Sequence, residues 1–207
     1  SDSSYYTWTV SATAGGSGSV VGSNSPTLAS SAFSRDEWVK CTVTSNDGTE
    51  DGTSDSDEIE ILNTAPVVAS ASVVPSAPIA TTPSLDCDYN YTDADGDNDN
   101  STIKWYKNSS EDFTGNPYSG PYVGGDDIYC KVIANDGTVS GNTIDSGTIT
   151  VGYTPPVVSN VVITPSTAAY GTDLHCDYDF SDDDNNNDTS TISWTLNGTE
   201  VGTAADL

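Results

Sequence analysis

Residues Leu85–Trp105 read L-D-C-D-Y-N-Y-T-D-A-D-G-D-N-D-N-S-T-I-K-W, and this stretch decides the fold. Leu85, Cys87, Tyr89 and Tyr91 alternate with Asp86, Asp88 and Asn90, the period of a half-buried strand. Aspartates then occupy every second position, at Asp93, Asp95, Asp97 and Asp99, before Ile103 and Trp105 resume the alternation. The stretch is therefore strand, acidic loop, strand. It returns at Leu174–Trp194, with Cys176 and Trp194 each 89 residues beyond Cys87 and Trp105. The acidic positions return as Asp182, Asp184, Asn186 and Asp188.

Composition points the same way. The chain of 207 residues carries a formal charge of −26 with only five Lys plus Arg, so nucleic acid and anionic membrane surfaces are poor partners and cations good ones. Asp outnumbers Glu by 25 to 6, which suits turns and oxygen-ligand loops over helices. No segment holds a 3.6-residue apolar period, and none is long and apolar enough to span a membrane. The expected class is all-β, built of tandem repeats of about 89 residues. With no initiator Met and no signal peptide, the chain reads as a mature segment of something longer.

Three domains are expected. Residues 1–65 match the later part of a repeat, because Ser4–Trp8 aligns with Ser101–Trp105 and Ser190–Trp194. They hold a Gly/Ser/Ala-rich loop over 11–34, a strand over 37–44, the hairpin turn Asn46-Asp47-Gly48 and a strand ending at 58–62. Residues 66–155 form the complete repeat. Its first strand, with Val67, Val68, Val73 and Val74, is interrupted by prolines and suits a sheet edge. The acidic loop follows, then a variable stretch over 107–124, a strand over 127–132, a second N-D-G turn at Asn135 and a last strand over 148–153. Residues 156–207 restart the pattern as far as Trp194. The outer domains are thus expected to be incomplete.

The acidic loops point to calcium. Four carboxylates within seven residues repel one another, and a hard divalent cation with oxygen ligands turns that repulsion into binding. D-A-D-G-D has the 1-3-5 spacing of calcium loops, and Gly96 permits the bend. It is not an EF-hand: the twelfth position is Lys104 and no helices flank the loop. The expected ligands are Asp93, Asp95, Asp97 and Asp99, with Asp182, Asp184, Asn186 and Asp188 as the second set and Asp2 as the last position of a third loop. The competing reading is a solvated acidic loop.

In the complete repeat the order Cys87, Trp105, Cys130 resembles an immunoglobulin-like sandwich, in which two cysteines on facing sheets bridge the core and a Trp packs on the bridge. The antibody-type Tyr two residues before the second cysteine is replaced by Val39 and Ile128. The resemblance implies a Cys87–Cys130 disulfide, with partners for Cys41 and Cys176 outside their own partial domains or in another chain. It also implies that the N-D-G turns lie at the same end as the acidic loops, which makes Asp136 and Asp47 candidate ligands. With its D-x-D-x-D loops the chain resembles tandem Ig-like repeats of bacterial and archaeal cell-surface adhesins and extracellular fibrils. That resemblance implies a non-catalytic, calcium-stiffened, extracellular scaffold whose partners are copies of itself or adjacent repeats in a filament. The alternative is an accessory carbohydrate- or ligand-binding module of a large secreted enzyme.

Other signals are weaker. The cysteines are too scattered for zinc, and disulfides in an oxidising setting are the default. Sequons at Asn90, Asn100, Asn108, Asn187 and Asn197 are glycosylation candidates. Trp8, Trp105 and Trp194 are expected in cores, whereas Trp38, Tyr106 and Tyr129 face outward as an interface or sugar-stacking stripe. His175 reads as a surface residue. No nucleophile elbow, phosphate loop or second His is present, so an enzyme is not expected.

Overall fold

The structure is a computed structural model that describes residues 2–207. It is all-β, with antiparallel sheets, no α-helix among the described residues and one short 3-10 turn at Ser30–Ala32. The chain divides into two compact units. One contains Ser1–Val67, Tyr91–Asn100 and Ala134–Gly141; the other contains Val68–Asn90, Ser101–Ile133 and Asn142–Leu207.

In the first unit, strands β1 (Tyr5–Ser11), β2 (Ser19–Val21), β3 (Trp38–Asn46) and β4 (Asp51–Glu60) form one sheet in the order β2-β1-β3-β4. Trp8 lies opposite Cys41, which lies opposite Asp57. The β3–β4 turn is held by Asp47, whose Oδ1 accepts from the Thr49 and Glu50 amides, with Gly48 at φ 95°. Strand β4 begins well before the apolar residues that mark its end. Its D-G-T-S-D-S-D start has no apolar alternation, and main-chain pairing to β3 alone makes it a strand. Its charged, exposed side chains suit an edge that repels further strands. Trp8 is half-buried, short of the core position expected; its indole N–H donates to Ser25 O in the Gly/Ser-rich loop.

The remaining strands are β5 (Val67–Val74), β6 (Asp86–Thr92), β7 (Thr102–Lys107), β8 (Ser110–Thr114), β9 (Asp127–Asn135), β10 (Ser140–Asp145), β11 (Ile149–Thr150), β12 (Val157–Thr164), β13 (His175–Ser181), β14 (Trp194–Leu196) and β15 (Thr199–Gly202). β5 pairs with β6, while β10-β9-β7-β8 form a sheet with β11 on β9. The final strand of this region is thus only two residues long, and most of the expected 148–153 strand is irregular chain after β10.

The principal core lies in the second unit. Cys87 on β6 is bonded to Cys130 on β9, with Cα atoms 6.1 Å apart. Leu85, Trp105, Ile128, Cys130 and Val132 have no solvent exposure. Trp105 faces Cys130 in register and stacks on Tyr118 at 5.3 Å between ring centroids. Tyr118 and Tyr122 come from the variable 107–124 stretch, yet they are 1% and 6% exposed. Proline and glycine spacing hides such residues from a periodicity reading; the Tyr118 hydroxyl finds Asp112 at 2.5 Å and the Tyr122 hydroxyl finds Thr82 O.

The last segment repeats local hydrogen bonds of the middle one. Leu85 and Tyr118 exchange backbone hydrogen bonds, as do Leu174 and Leu207. Trp105 Nε1 donates to Gly115 O, and Trp194 Nε1 to Ala204 O. β12 pairs with β13 and β14 with β15 as separate two-stranded sheets. All of β12 is exposed, including Val158, Val161, Val162 and Ile163. His175 is exposed and meets Asp206 at 2.6 Å.

Candidate metal centre

The acidic loop gives each aspartate a separate task. Asp93 Oδ1 accepts from the amides of Asp95 (2.8 Å) and Asp97 (3.1 Å), folding the loop over Gly96, which has φ +78°. Asp182 Oδ1 does the same for Asp184 (2.9 Å) and Asn186 (3.1 Å). The second acidic residue turns away to hold the linker. Asp95 Oδ2 accepts from Thr64 N at 2.6 Å. Asp184 Oδ2 accepts from Thr154 N and its hydroxyl, and Oδ1 accepts from Gly124 N. A Cβ at Gly124 would meet Tyr153 at 2.4 Å, so only glycine lets that amide approach. The last acidic residue holds the chain just after it: Asp188 Oδ1 accepts from Ser190 N and Asp2 Oδ1 from Ser4 N, the latter directly before β1. This is the side-chain-to-backbone turn for which short acidic residues are suited.

Three carboxylates converge. Ligand atoms of Asp93, Asp97 and Asp136 all lie within 4.8 Å of one another, in the first unit. Asp136 arrives from the turn after β9. Its Oδ1 is used by the turn, accepting from Thr138 N, Thr138 Oγ and Val139 N, while Oδ2 accepts from Asn63 Nδ2 at 2.8 Å. Burial alone would raise the Asp136 pKa, but hydrogen bonds from Asn63, Val139 and Thr138 outweigh it and hold the carboxyl well below its ordinary value. Asp93 Oδ2 is sealed from solvent and has no hydrogen-bond partner among the described residues. That orphaned oxygen, inside an all-oxygen donor set, fits a hard cation such as calcium, whose ligands lie roughly 2.3–2.6 Å from the ion.

The arrangement also contains a cation of its own. Arg35 Nη1 donates to Asp97 Oδ2 and to Asn63 Oδ1, and Arg35 Nε lies 3.3 Å from Asp36. Desolvation lowers the Arg35 pKa, and the carboxylates of Asp97, Asp36 and Asp95 more than reverse this. Neither Arg35 nor Asn63 stands out in the sequence. Arg35 is a lone basic residue in a polar loop, and Asn63 belongs to a linker of ordinary composition.

The other expected ligands lie apart from this cluster. Asp95 and Asp99 are outside the three-carboxylate group, as are Asp182, Asp184, Asn186 and Asp188 of the second loop. Asp47 sits in a turn built like that of Asp136, near Asp2, Glu50 and Asp51 along one surface depression. Hydrogen bonds from Thr49 and Glu50 hold its carboxyl at about 2. Cys41 and Cys176 are unbonded and half-buried. All five sequon asparagines are exposed, but Asn108 uses its side chain to bind Asp126 and the Asp127 amide. Tyr106 and Tyr129 stack at 4.8 Å, with Lys131 Nζ 5.4 Å from the Tyr106 ring. Trp38 is half-buried between Ser11 and Glu60.

The Asp184 clasp carries a pH prediction. Burial would raise its pKa, but donors from Thr154 and Gly124 hold it below 3.8. A depressed carboxylate stabilises the fold above its unfolded pKa, and that contribution is lost as pH falls through the folded value. In chelator, wild type should therefore exceed Asp184→Asn in melting temperature at neutral pH. The gap should narrow as pH drops below 3.8. A gap that does not change down to acid unfolding would refute the assignment.

No protein-family model matches the chain, and no curated protein matches it.

Proposed function

We propose that this chain is a non-catalytic structural segment of an extracellular surface fibril or adhesin. In this reading it is built of tandem Ig-like sandwiches of about 89 residues, stabilised by calcium and joined head to tail into a filament. The observation that carries the reading is the convergence of Asp93, Asp97 and Asp136 beside the linker residues Asn63 and Thr64. A cation there ties an acidic loop, a hairpin turn and a linker together, which is what a stiff array of small domains requires. The disulfide supports an oxidising, extracellular setting. The recurrence of the same loop and strand hydrogen bonds along the chain supports a repeating scaffold.

The rival, a carbohydrate-binding module, relies on Tyr106 and Tyr129. These rings stack face to face, nearly parallel at 3°, so each covers one face that a sugar ring would use. This supports the scaffold. Under it, Cys41 and Cys176 take partners in adjacent repeats or in neighbouring copies, as Cys87 and Cys130 do within one repeat.

Calcium should raise the melting temperature relative to chelator. Binding to the folded form alone contributes about 2.7 kcal/mol at one hundred times the dissociation constant. Asp93→Asn together with Asp136→Asn should abolish the calcium response. Equal melting temperatures in calcium and chelator leave only a solvated acidic loop. Electron micrographs of the native material test the assembly, because isolated particles in place of filaments would overturn it.

A further inference from the structure

We infer that Arg35 is a built-in competitor for the cation at the Asp93/Asp97/Asp136 cluster, with the Asn63 side-chain amide as the arm that switches between the two. The inference rests on the calcium reading above and concerns how that site is regulated. Its starting point is the amide orientation. Arg35 Nη1 donates to Asn63 Oδ1 at 2.5 Å, which leaves Asn63 Nδ2 to donate to Asp136 Oδ2 at 2.8 Å. The amide therefore presents a donor to the carboxylates. A metal ion needs the opposite, because only oxygen atoms bind a hard cation. Rotating the amide would bring Oδ1 to the cluster and Nδ2 toward the guanidinium, where donor would meet donor. Arg35 must therefore leave when Asn63 becomes a ligand.

The Asp97 contact works in the same direction. Arg35 already binds the carboxylate of Asp97, one of the three that converge on the cluster. A guanidinium and a divalent cation side by side repel, and each weakens the other's hold on the shared carboxylate. Asp93 Oδ2 stays unpartnered in the Arg35-bound arrangement, so the guanidinium neutralises the cluster without completing it. The second loop supports the pairing of roles. Gly124 stands 89 residues beyond Arg35 and Asn186 stands 89 residues beyond Asp97, so the extra carboxylate and the arginine vanish together. Arginine thus acts as a threshold. At low calcium the loop is held by the Arg35–Asn63–Asp136 chain, and rising calcium exchanges that chain for the ion.

The test is calorimetric calcium titration of the full 207-residue chain. Arg35→Ala and Arg35→Gln should each tighten calcium binding by about tenfold, within the usual range of site–site coupling. Arg35→Lys keeps the charge and should tighten it much less. In wild type the Arg35 Nε–Hε resonance should shift as calcium is added, and in Asp93→Asn it should not. Circular dichroism in chelator checks that each variant is folded. If wild type binds calcium, Asp93→Asn loses it, and the Arg35 variants bind equally or more weakly, the exchange is wrong while the metal site stands. If neither wild type nor the Arg35 variants bind calcium, the metal reading and the exchange both fall.

Discussion

Replacing Trp105 by Ala is expected to cost about 3–5 kcal/mol, a large share of a small domain's total stability. Trp105 is fully buried, lies opposite Cys130, stacks on Tyr118 and donates its indole N–H to Gly115 O at 3.0 Å. Alanine leaves a ring-sized void beneath the disulfide and strips the Gly115 carbonyl of its partner. The sister substitution Trp8→Ala should cost less, because Trp8 is only half-buried. Urea unfolding followed by far-UV circular dichroism measures both. A loss of less than about 1 kcal/mol for Trp105→Ala, the scale of an ordinary surface change, would show that the core is not organised on this ring.

Removing the Cys87–Cys130 bond is the second large effect. The bridge closes a 43-residue separation, for which the chain-entropy model gives roughly 4 kcal/mol. The double replacement of both cysteines by Ala should lower the urea midpoint accordingly, and reductant should do the same to wild type. Changing Cys41 and Cys176 to Ala should leave the isolated chain almost unaltered, since neither is bonded within it. Intact mass with and without alkylation identifies the bonded pair. A free thiol at Cys87 or Cys130 in the folded protein contradicts the assignment. The contrast also bears on assembly. If native filaments hold Cys41 and Cys176 in bonds between copies, reductant should break them into shorter species on non-reducing electrophoresis; one large chain that survives reduction points to a continuous array.

Much of the local architecture was written in the order of residues. Period-two alternation marked β6, β7 and β9, because a sheet with one buried face must place apolar side chains on every second residue. N-D-G marked both tight turns, because glycine alone takes the positive φ found at Gly48 and Gly137 without strain. The alternating aspartates marked the loops, and the order Cys87, Trp105, Cys130 marked the residues at the centre of the core. The highly polar strand β4 was not legible over its first half, since its partner and not its own side chains makes it a strand. Nor were Tyr118 and Tyr122, whose burial depends on a proline- and glycine-shaped path with no period.

The candidate site divides in the same way. The presence of oxygen ligands was evident from composition and spacing, but which of them meet was decided in three dimensions. Asp93 and Asp97 join Asp136 from a different part of the chain, whereas Asp95 leaves the group to hold Thr64. Equal spacing along a loop does not mean equal direction, because each turn of backbone sends successive carboxylates to different donors. Arg35 and Asn63 belong to the site only because folding brings residues 62 and 73 positions apart in the chain to hydrogen-bond distance. Sequence alone determined that this chain would be an acidic, all-β, disulfide-linked protein. Tertiary structure decided which charges face one another, since electrostatic partnership depends on distance in space, and distance along the chain does not report it.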